Sequence, residues 1–246
     1  MSTEAVVPSP GSPGIQHEHK DVTGGWLRPA VFGAMDGLVS NAALIAGVAG
    51  GTRDTGATTA VVLAGLAGLS AGAFSMAVGE YNSVASQSEA AEHEIAKERY
   101  EISHNRLAET VELAAMYEEK GIDERLAREV AEQIHRDLDR AVAVHAREEL
   151  GIDPDDLASP TLAAVSSFLA FAVGALVPVL PYLVGASTIW PTLVFTMLAL
   201  FACGAIVTQV TSRAWWFGGL RMMLLGAGAA GLTYAFGLLV GGAGAG

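Results

Sequence analysis

The sequence predicts an all-α membrane protein with five transmembrane helices and a three-helix insert between the second and the third. Five apolar runs are each long enough to cross a bilayer core, which takes about 20 residues. Charge is concentrated elsewhere, because residues 89–156 hold 20 acidic and nine basic side chains, against six and five in the rest of the chain. A nearly neutral apolar body with one acidic segment is typical of a membrane protein that carries a soluble insert.

The chain divides into four predicted parts. Residues 1–24 are rich in Pro, Ser and Gly and lack the apolar core of a signal peptide, so we predict a disordered N-terminal tail. Residues 25–88 contain transmembrane helices 1 and 2, and residues 159–246 contain transmembrane helices 3–5. Between them, residues 89–158 form the acidic helical insert.

Two similar stop signals divide the insert, EEKGID and EELGID. In each, Gly can adopt the left-handed cap conformation and Asp can cap the next helix. We therefore expect helices at about 58–103, 107–120 and 123–150, with a break near Asn105.

Basic residues around the apolar runs indicate the topology. The opposite loops hold only Arg53, whereas four basic residues lie at ends that face the same side as the insert: Lys20, Arg28, Arg213 and Arg221. Because cytoplasmic loops carry the excess of Lys and Arg, we predict a cytosolic N-terminus and insert, with the C-terminus across the membrane. The short loops and the lack of a signal peptide suit a prokaryotic inner (plasma) membrane, our prediction, although the same features would suit an organelle membrane.

One ionisable residue interrupts the first apolar run. Asp36 lies within VFGAMDGLVSNAAL, where a lone carboxylate costs at least ~2.5 kcal/mol, so it must be protonated, paired or coordinating. In the second run, Met76 and Glu80 share a helix face at a spacing of four. Two carboxylates could hold a divalent cation, and the thioether favours a transition metal. Met76 could equally fill a packing gap and Glu80 could be interfacial. Neutral oxygens on these runs, which helix packing explains equally well, belong to Ser40, Asn41 and Ser75.

Small residues in both runs indicate close helix contacts. Gly33 and Gly37 in the first run, and Gly68 and Gly72 in the second, are spaced as G-x-x-x-G. This spacing lets helix backbones approach closely, although it is common by chance in Gly-rich chains.

The insert contains pairs of potential metal ligands. Each pair projects from one helix face, and the pairs are Glu98 with Glu101, Glu109 with Glu112, and His145 with Glu149. Oxygen-rich clusters with an occasional imidazole suit Fe(II), Mn(II) or Mg better than Zn. The alternative is a solvated charged face, as indicated by ordinary i,i+4 ion pairs such as Glu124 with Arg128.

Two E-x-x-H matches favour a different class of protein. Glu101 with His104, and Glu132 with His135, have the spacing of di-metal carboxylate sites in ferritin-like bundles. They leave open a membrane-tethered oxidase or storage domain, although such a bundle needs four long helices and the insert offers fewer.

Other function classes lack their signals. A nucleic-acid-binding surface needs a basic patch, and none is visible. The sequence lacks the Gly-rich, lysine-containing phosphate-binding motif that would indicate direct use of ATP. Metal binding requires no hydrolytic or redox step. We therefore predict that the protein is not an enzyme and has no prosthetic group. The single Cys203 lies in an apolar run and can form no internal disulfide.

Four segments together resemble the vacuolar iron transporter family of Fe(II) and Mn(II) transporters. They are AVFGAMDGLVSNAALIAGVAG, GLAGLSAGAFSMAVGEYNSVASQ, ELAAMYEEKGI and HAREELGI. The resemblance extends from Leu27 to the C-terminus. It implies a homodimer with the transport path at the subunit interface, a cytosolic metal-binding insert, and proton-coupled export of metal from the cytosol.

The resemblance also implies the metal ligands. In the membrane they are Asp36 and Met76, with Glu80 beside them. In the insert they are Glu98, Glu101, Glu109, Glu112 and Glu149. This chain has His145 where the family pattern has Met, and imidazole accepts Zn more readily, so we expect Fe2+ or Mn2+ as the bound and transported ion and Zn2+ as a further ion that the insert accepts.

Overall fold

The protein is all-helical over the part that the structure describes, which is a computed structural model covering residues 25–53, 56–211 and 213–243. No strand occurs in those ranges, and the predicted N-terminal tail lies outside them. Seven helices follow one another: α1 (Leu27–Gly51), α2 (Thr58–Glu119), α3 (Glu124–Ile134), α4 (Leu138–Glu148), α5 (Pro160–Leu183), α6 (Trp190–Thr211) and α7 (Trp215–Ala243).

Five of these helices are long and apolar enough to span a membrane, as predicted. They are α1, the first part of α2, α5, α6 and α7. Large side chains such as Leu63, Phe74 and Phe236 are more than 60% exposed on their outer faces. Because water would make such exposure costly and lipid does not, these faces fit a bilayer environment.

Close backbone contacts join α1 to α5. A Cβ atom added at Gly33 would lie 2.7 Å from the carbonyl oxygen of Ser167, and one at Gly37 would clash with the carbonyl of Phe171. The first G-x-x-x-G pair therefore brings α1 against α5, whereas Gly68 on α2 faces Asn41 of α1. Small residues permit this approach because no side chain separates the backbones.

The acidic segment is built on the polar half of α2. Leu113 on α2 packs against Ala127 and Ala131 on α3, while Ile102 packs against α4 at Ala141. Charged contacts fasten α4 at both ends: Arg99 Nη2 lies 2.7 Å from Asp139 Oδ1, and Lys120 pairs with Glu148. Where the acidic segment meets the membrane-spanning part, Ser88 Oγ donates a hydrogen bond to the carbonyl of Ala158 at 3.0 Å.

The first stop signal acts as predicted, whereas in the second only the glycine does, because Ser159 and not Asp153 caps the next helix, α5. Gly121 and Gly151 have φ of 90° and 66°, a region that favours glycine. Asp123 then accepts hydrogen bonds from two backbone N–H groups at the start of α3. Asn105 is the one residue of α2 with non-helical dihedrals, so the expected break is a kink within one helix.

The single helix expected at about 123–150 is wrong, because α3 and α4 are separate. Asp137 is extended and accepts a hydrogen bond from Arg140 N at 3.0 Å, which begins a new helix. His135 ends α3 and turns its ring inward, where it is 3% exposed. A capping Asp in the middle of a charged, periodic run competes with helix continuation, and the hydrophobic pattern did not reveal it.

The α1–α5 contact predicts the effect of a single methyl group. Gly33→Ala should destabilise the protein by about 1–3 kcal/mol, because the backbones must separate to admit Cβ. Thermal unfolding in detergent would measure this. Gly228→Ala on α7 is the matched control, since nothing lies within 4 Å of the added Cβ and alanine favours helix. Equal melting temperatures for both variants would contradict the assigned contact.

Candidate metal centres

A cleft of about 290 Å³ lies between α1, α2 and α5 within the apolar part of the fold. Asp36 and Met76, the two predicted membrane ligands, both line it. Glu80 is half-buried one helical turn beyond Met76 and is not among the lining residues. The other residues lining the cleft are Ser40, Asn41, Leu44, Gly68, Gly72, Ser75 and Phe171.

The amide of Asn41 is held with its oxygen unpaired. Its Nδ2 donates to the carbonyl of Ala175 on α5 at 2.6 Å, and the side chain is 2% exposed. Its Oδ1 has no hydrogen-bond partner, although a buried amide oxygen normally has one. Ser40, in contrast, donates to the backbone carbonyl of Asp36 at 2.6 Å. Asn41 thus adds a neutral oxygen to the cleft, a possibility that the sequence left open.

A second centre lies in the acidic segment, where α2 faces α4. One ligand atom each from Glu98, Glu109 and His145 lies within 4.8 Å of the others. His145 Nδ1 is 2.6 Å from Oε1 of Glu149 and 3.0 Å from Oε1 of Glu98. His145 is fully buried, and Glu98 is 6% exposed. The helix register therefore brings together side chains up to 51 positions apart in the sequence.

The remaining predicted carboxylates border this centre. Glu101 is half-buried and Glu112 is exposed, and both act electrostatically on Glu109. Burial raises the pKa of Glu109, and the neighbouring Glu112 raises it further. The structure thus brings together Glu98, Glu109, His145 and Glu149, whereas Glu101 and Glu112 act on this cluster through their charge.

Glu98 is the most perturbed member of this cluster. Burial, followed by the charge of Glu149, raises the pKa of Glu98 to about 7, while His145 opposes the shift. Its Oε1 is buried and accepts no hydrogen bond despite its closeness to the imidazole of His145. A buried carboxylate without a compensating partner is costly, so this oxygen is available to a cation.

The two E-x-x-H pairs do not meet in a common site. His104 is exposed, stacks on Tyr100 and contacts that residue's backbone carbonyl. Glu132 is exposed, whereas His135 is buried with its Nε2 3.3 Å from Nε2 of His145. Burial lowers the pKa of His135. The E-x-x-H spacing predicted His135 in a rival site, whereas its contact with His145 depends on the break between α3 and α4, which the sequence pattern does not reveal.

One helix connects both centres. Met76 and Glu98 both belong to α2 and lie 22 positions apart, and the dihedrals between them are helical throughout. At 1.5 Å per residue, that separation is about 33 Å along the helix axis. The two centres are therefore distinct, and an ion moving between them must leave one before it enters the other.

These features define an integral membrane protein with five spans and two carboxylate centres, one within the apolar fold and one in a polar segment. Comparison with known proteins agrees. The family model described as "VIT family" matches residues 27–238. The chain belongs to the VIT family.

Named relatives cover most of the chain. "Vacuolar iron transporter" of Acanthamoeba castellanii is 37% identical over 233 residues, which is 92% of this chain and 78% of the relative. "Vacuolar iron transporter homolog 3" of Arabidopsis thaliana is 32% identical, over 88% of this chain and 84% of the relative. "Vacuolar iron transporter 1" of Oryza sativa subsp. japonica is 26% identical, over 89% of this chain and 88% of the relative.

The raised pKa of Glu98 predicts how stability depends on pH without metal. The folded state holds this proton up to about pH 7, whereas the unfolded state releases it near the ordinary value of 4.5. The folded state is therefore destabilised progressively as the pH rises from about 4.5 to 7, and the effect is complete above 7.

Thermal unfolding of the full chain in detergent with a chelator, from pH 4.5 to 8, would measure this dependence. Glu98→Gln should unfold at a higher temperature than the wild type above pH 7, with the difference vanishing towards pH 4.5. Glu132→Gln, at an exposed position of α3, should behave as the wild type does. A constant difference between Glu98→Gln and wild type over this range would contradict the assignment.

Proposed function

We propose that this protein exports Fe2+ or Mn2+ from the cytosol across a membrane in exchange for protons. The observation that carries the proposal is that one helix, α2, contributes Met76 to the cleft that holds Asp36 and contributes Glu98 to the centre in the acidic segment. Membership in the VIT family and the names of the relatives, which describe iron transporters, support it.

The acidic segment captures the ion in this proposal. Its donors are five carboxylates and one imidazole, contributed by Glu98, Glu101, Glu109, Glu112, Glu149 and His145. Hard oxygen ligands with a single nitrogen suit Mn2+ and Fe2+, and the imidazole makes Zn2+ a competing ion. Holding cations here raises their concentration near the membrane and relieves the mutual repulsion of the carboxylates.

The membrane centre then receives the ion. Asp36 supplies the negative charge, Met76 supplies a thioether that favours a transition metal over Ca2+ or Mg2+, and Asn41 supplies a neutral oxygen. Glu80, half-buried and one turn closer to the acidic segment, is suited to pass the ion into the cleft. Release occurs on the opposite side of the membrane.

Proton exchange is a consequence of the same carboxylates. A metal ion binds the deprotonated carboxylate, so binding releases protons and loss of the metal restores them. A carboxylate left without a cation in an apolar region favours its neutral form. Asp36 can therefore take up a proton each time it gives up an ion, which is the basis proposed for antiport.

A second copy of the chain completes the path in this proposal. Ser40 on α1 and Ser75 on α2 line the cleft and are exposed, and only 17% of the spanning part of α2 is buried within the single chain. A homodimer that joins these faces would enclose the ion between two sets of ligands. Arg28, Arg213 and Arg221 lie on the side of the acidic segment, which supports placing that segment in the cytosol. The prokaryotic inner membrane stays a prediction.

Asp36→Asn tests the transport step. Purified protein in proteoliposomes should lose flux of Fe(II) and Mn(II), because the amide cannot supply the negative charge that replaces the ion's hydration. Metal binding by the acidic segment should persist. Flux should be measured with and without a pH gradient, and with Zn(II) as a third ion. Asp156→Asn removes the same charge from an exposed position and should transport normally.

Two outcomes would count against this function. Wild-type protein that moves none of the three ions under any gradient would overturn it. Consumption of oxygen with Fe(II), abolished by His104→Ala or His135→Ala, would favour the ferritin-like oxidase instead.

Asn41→Ala tests the neutral ligand in the cleft. The apparent KM for Mn(II) flux should rise about tenfold, since a ligand worth about 1.4 kcal/mol is lost. Ser75→Ala, at an exposed hydroxyl that also lines the cleft, should change it little. An unchanged KM in folded Asn41→Ala protein would remove Asn41 from the ligand set.

A further inference from the structure

His135 lies behind the acidic centre and contacts none of its carboxylates at ion-pair distance in the described residues. Its ring is edge-on to that of His145, with centroids 5.1 Å apart and an interplanar angle of 89°. Its Nδ1 is 2.9 Å from the backbone carbonyl of Ala131, and its Nε2 is 3.3 Å from Nε2 of His145. Both rings are at least 97% buried, so water does not compete for these contacts.

The hydrogen positions are set by the partners. A carbonyl oxygen only accepts, so Nδ1 of His135 must donate to Ala131. A neutral imidazole has one N–H and one bare nitrogen, which makes Nε2 of His135 an acceptor. Nε2 of His145 must then carry the hydrogen that it donates.

His135 is held in this neutral form by its surroundings. The ring is 3% exposed, and the guanidinium of Arg106 would repel an imidazolium. Burying a positive charge there without a carboxylate partner would be costly. The two hydrogen bonds therefore run in one direction. Nε2–H of His145 donates to Nε2 of His135, and Nδ1–H of His135 donates to the carbonyl of Ala131.

The opposite nitrogen of His145 faces the ligands. Its Nδ1 is the atom near Oε1 of Glu149 and Oε1 of Glu98. A bare nitrogen so close to two carboxylates requires a positive species between them, which is a proton without metal and a cation with it. We propose that His135 is a positioning residue, which keeps the hydrogen of His145 on Nε2 and so presents Nδ1 to a divalent metal.

This inference rests on the proposed metal capture by the acidic segment but not on transport. It assigns a purpose to a buried histidine that belongs to neither centre. It also gives this chain a nitrogen ligand with a fixed orientation. Outer contacts of this kind, which orient a ligating histidine, typically change metal affinity 10–100-fold.

The test uses the full chain in detergent, labelled with 15N-histidine, and Zn2+ as a diamagnetic probe. Two-bond 1H–15N correlation spectra distinguish the two ring nitrogens, and loss of signals in His145→Gln identifies that residue. On Zn2+ addition, Nδ1 of His145 should shift as a metal ligand, whereas Nε2 should keep a slowly exchanging hydrogen. Coordination through Nε2, or no effect on His145, would overturn the proposal.

Variants separate positioning from folding. His135→Leu removes the acceptor, so the Kd for Mn2+ should rise at least about tenfold and the His145 N–H should exchange rapidly. His135→Gln places a carbonyl oxygen near the former Nε2 and should restore the Kd to within about threefold. His104→Leu removes an exposed histidine with a similar backbone contact and should change neither measurement.

The outcomes are distinct from those of the flux experiments. An unchanged Kd in folded His135→Leu protein, or equal Kd values in the Leu and Gln variants, would count against positioning by His135. If neither variant folds, the nitrogen assignment in the wild type decides. Coordination through Nδ1 without flux would uphold this inference and count against transport alone.

Discussion

The withdrawal of carboxylates from water is the constraint on which both centres depend. Asp36 lies in a span and Glu98 is 6% exposed in the acidic segment. Each needs a proton or a cation beside it, since an isolated buried negative charge is costly. The fold does not neutralise Glu98 with Lys or Arg; it surrounds it with further carboxylates and one imidazole. A cation bound at this centre would offset the cost of the buried charge, so metal binding would stabilise the folded state.

The two centres differ in how the fold supports them. Around Glu98, the ligands come from α2 and α4, which are tied together by Arg99 with Asp139 and by Lys120 with Glu148. The cleft around Asp36 is open and has few polar atoms, one of which is the oriented oxygen of Asn41. Many charged ligands favour retention, whereas a few ligands of mixed charge allow rapid release. This contrast suits a capture centre followed by a passage centre.

Much of the fold could be predicted because membrane spans leave a strong signal in the sequence. The five apolar runs, the Gly caps at Gly121 and Gly151, and the kink at Asn105 all follow from local chemistry. The closeness of Glu98, Glu109 and Glu149 to His145 agrees with part of the ligand set that the family resemblance implied. The separation of α3 from α4 could not be predicted, because Asp137 and His135 change the chain direction through contacts with their neighbours, which periodicity does not encode. For the same reason the sequence could list Asn41, Ser40 and Ser75 as equivalent oxygens, whereas only packing against Ala175 distinguishes Asn41.

Because α2 is continuous between Met76 and Glu98, this part of the helix behaves as a rigid rod. The one departure of α2 from helical geometry, at Asn105, lies beyond Glu98, so the segment from Met76 to Glu98 moves as one unit. Over a length of about 33 Å, a tilt of about 5° at the cleft displaces Glu98 by about 3 Å. Because α3 and α4 pack on the same helix, that displacement carries the whole acidic segment. A change in cleft width that tilts α2 would therefore also move the ligands of the acidic centre.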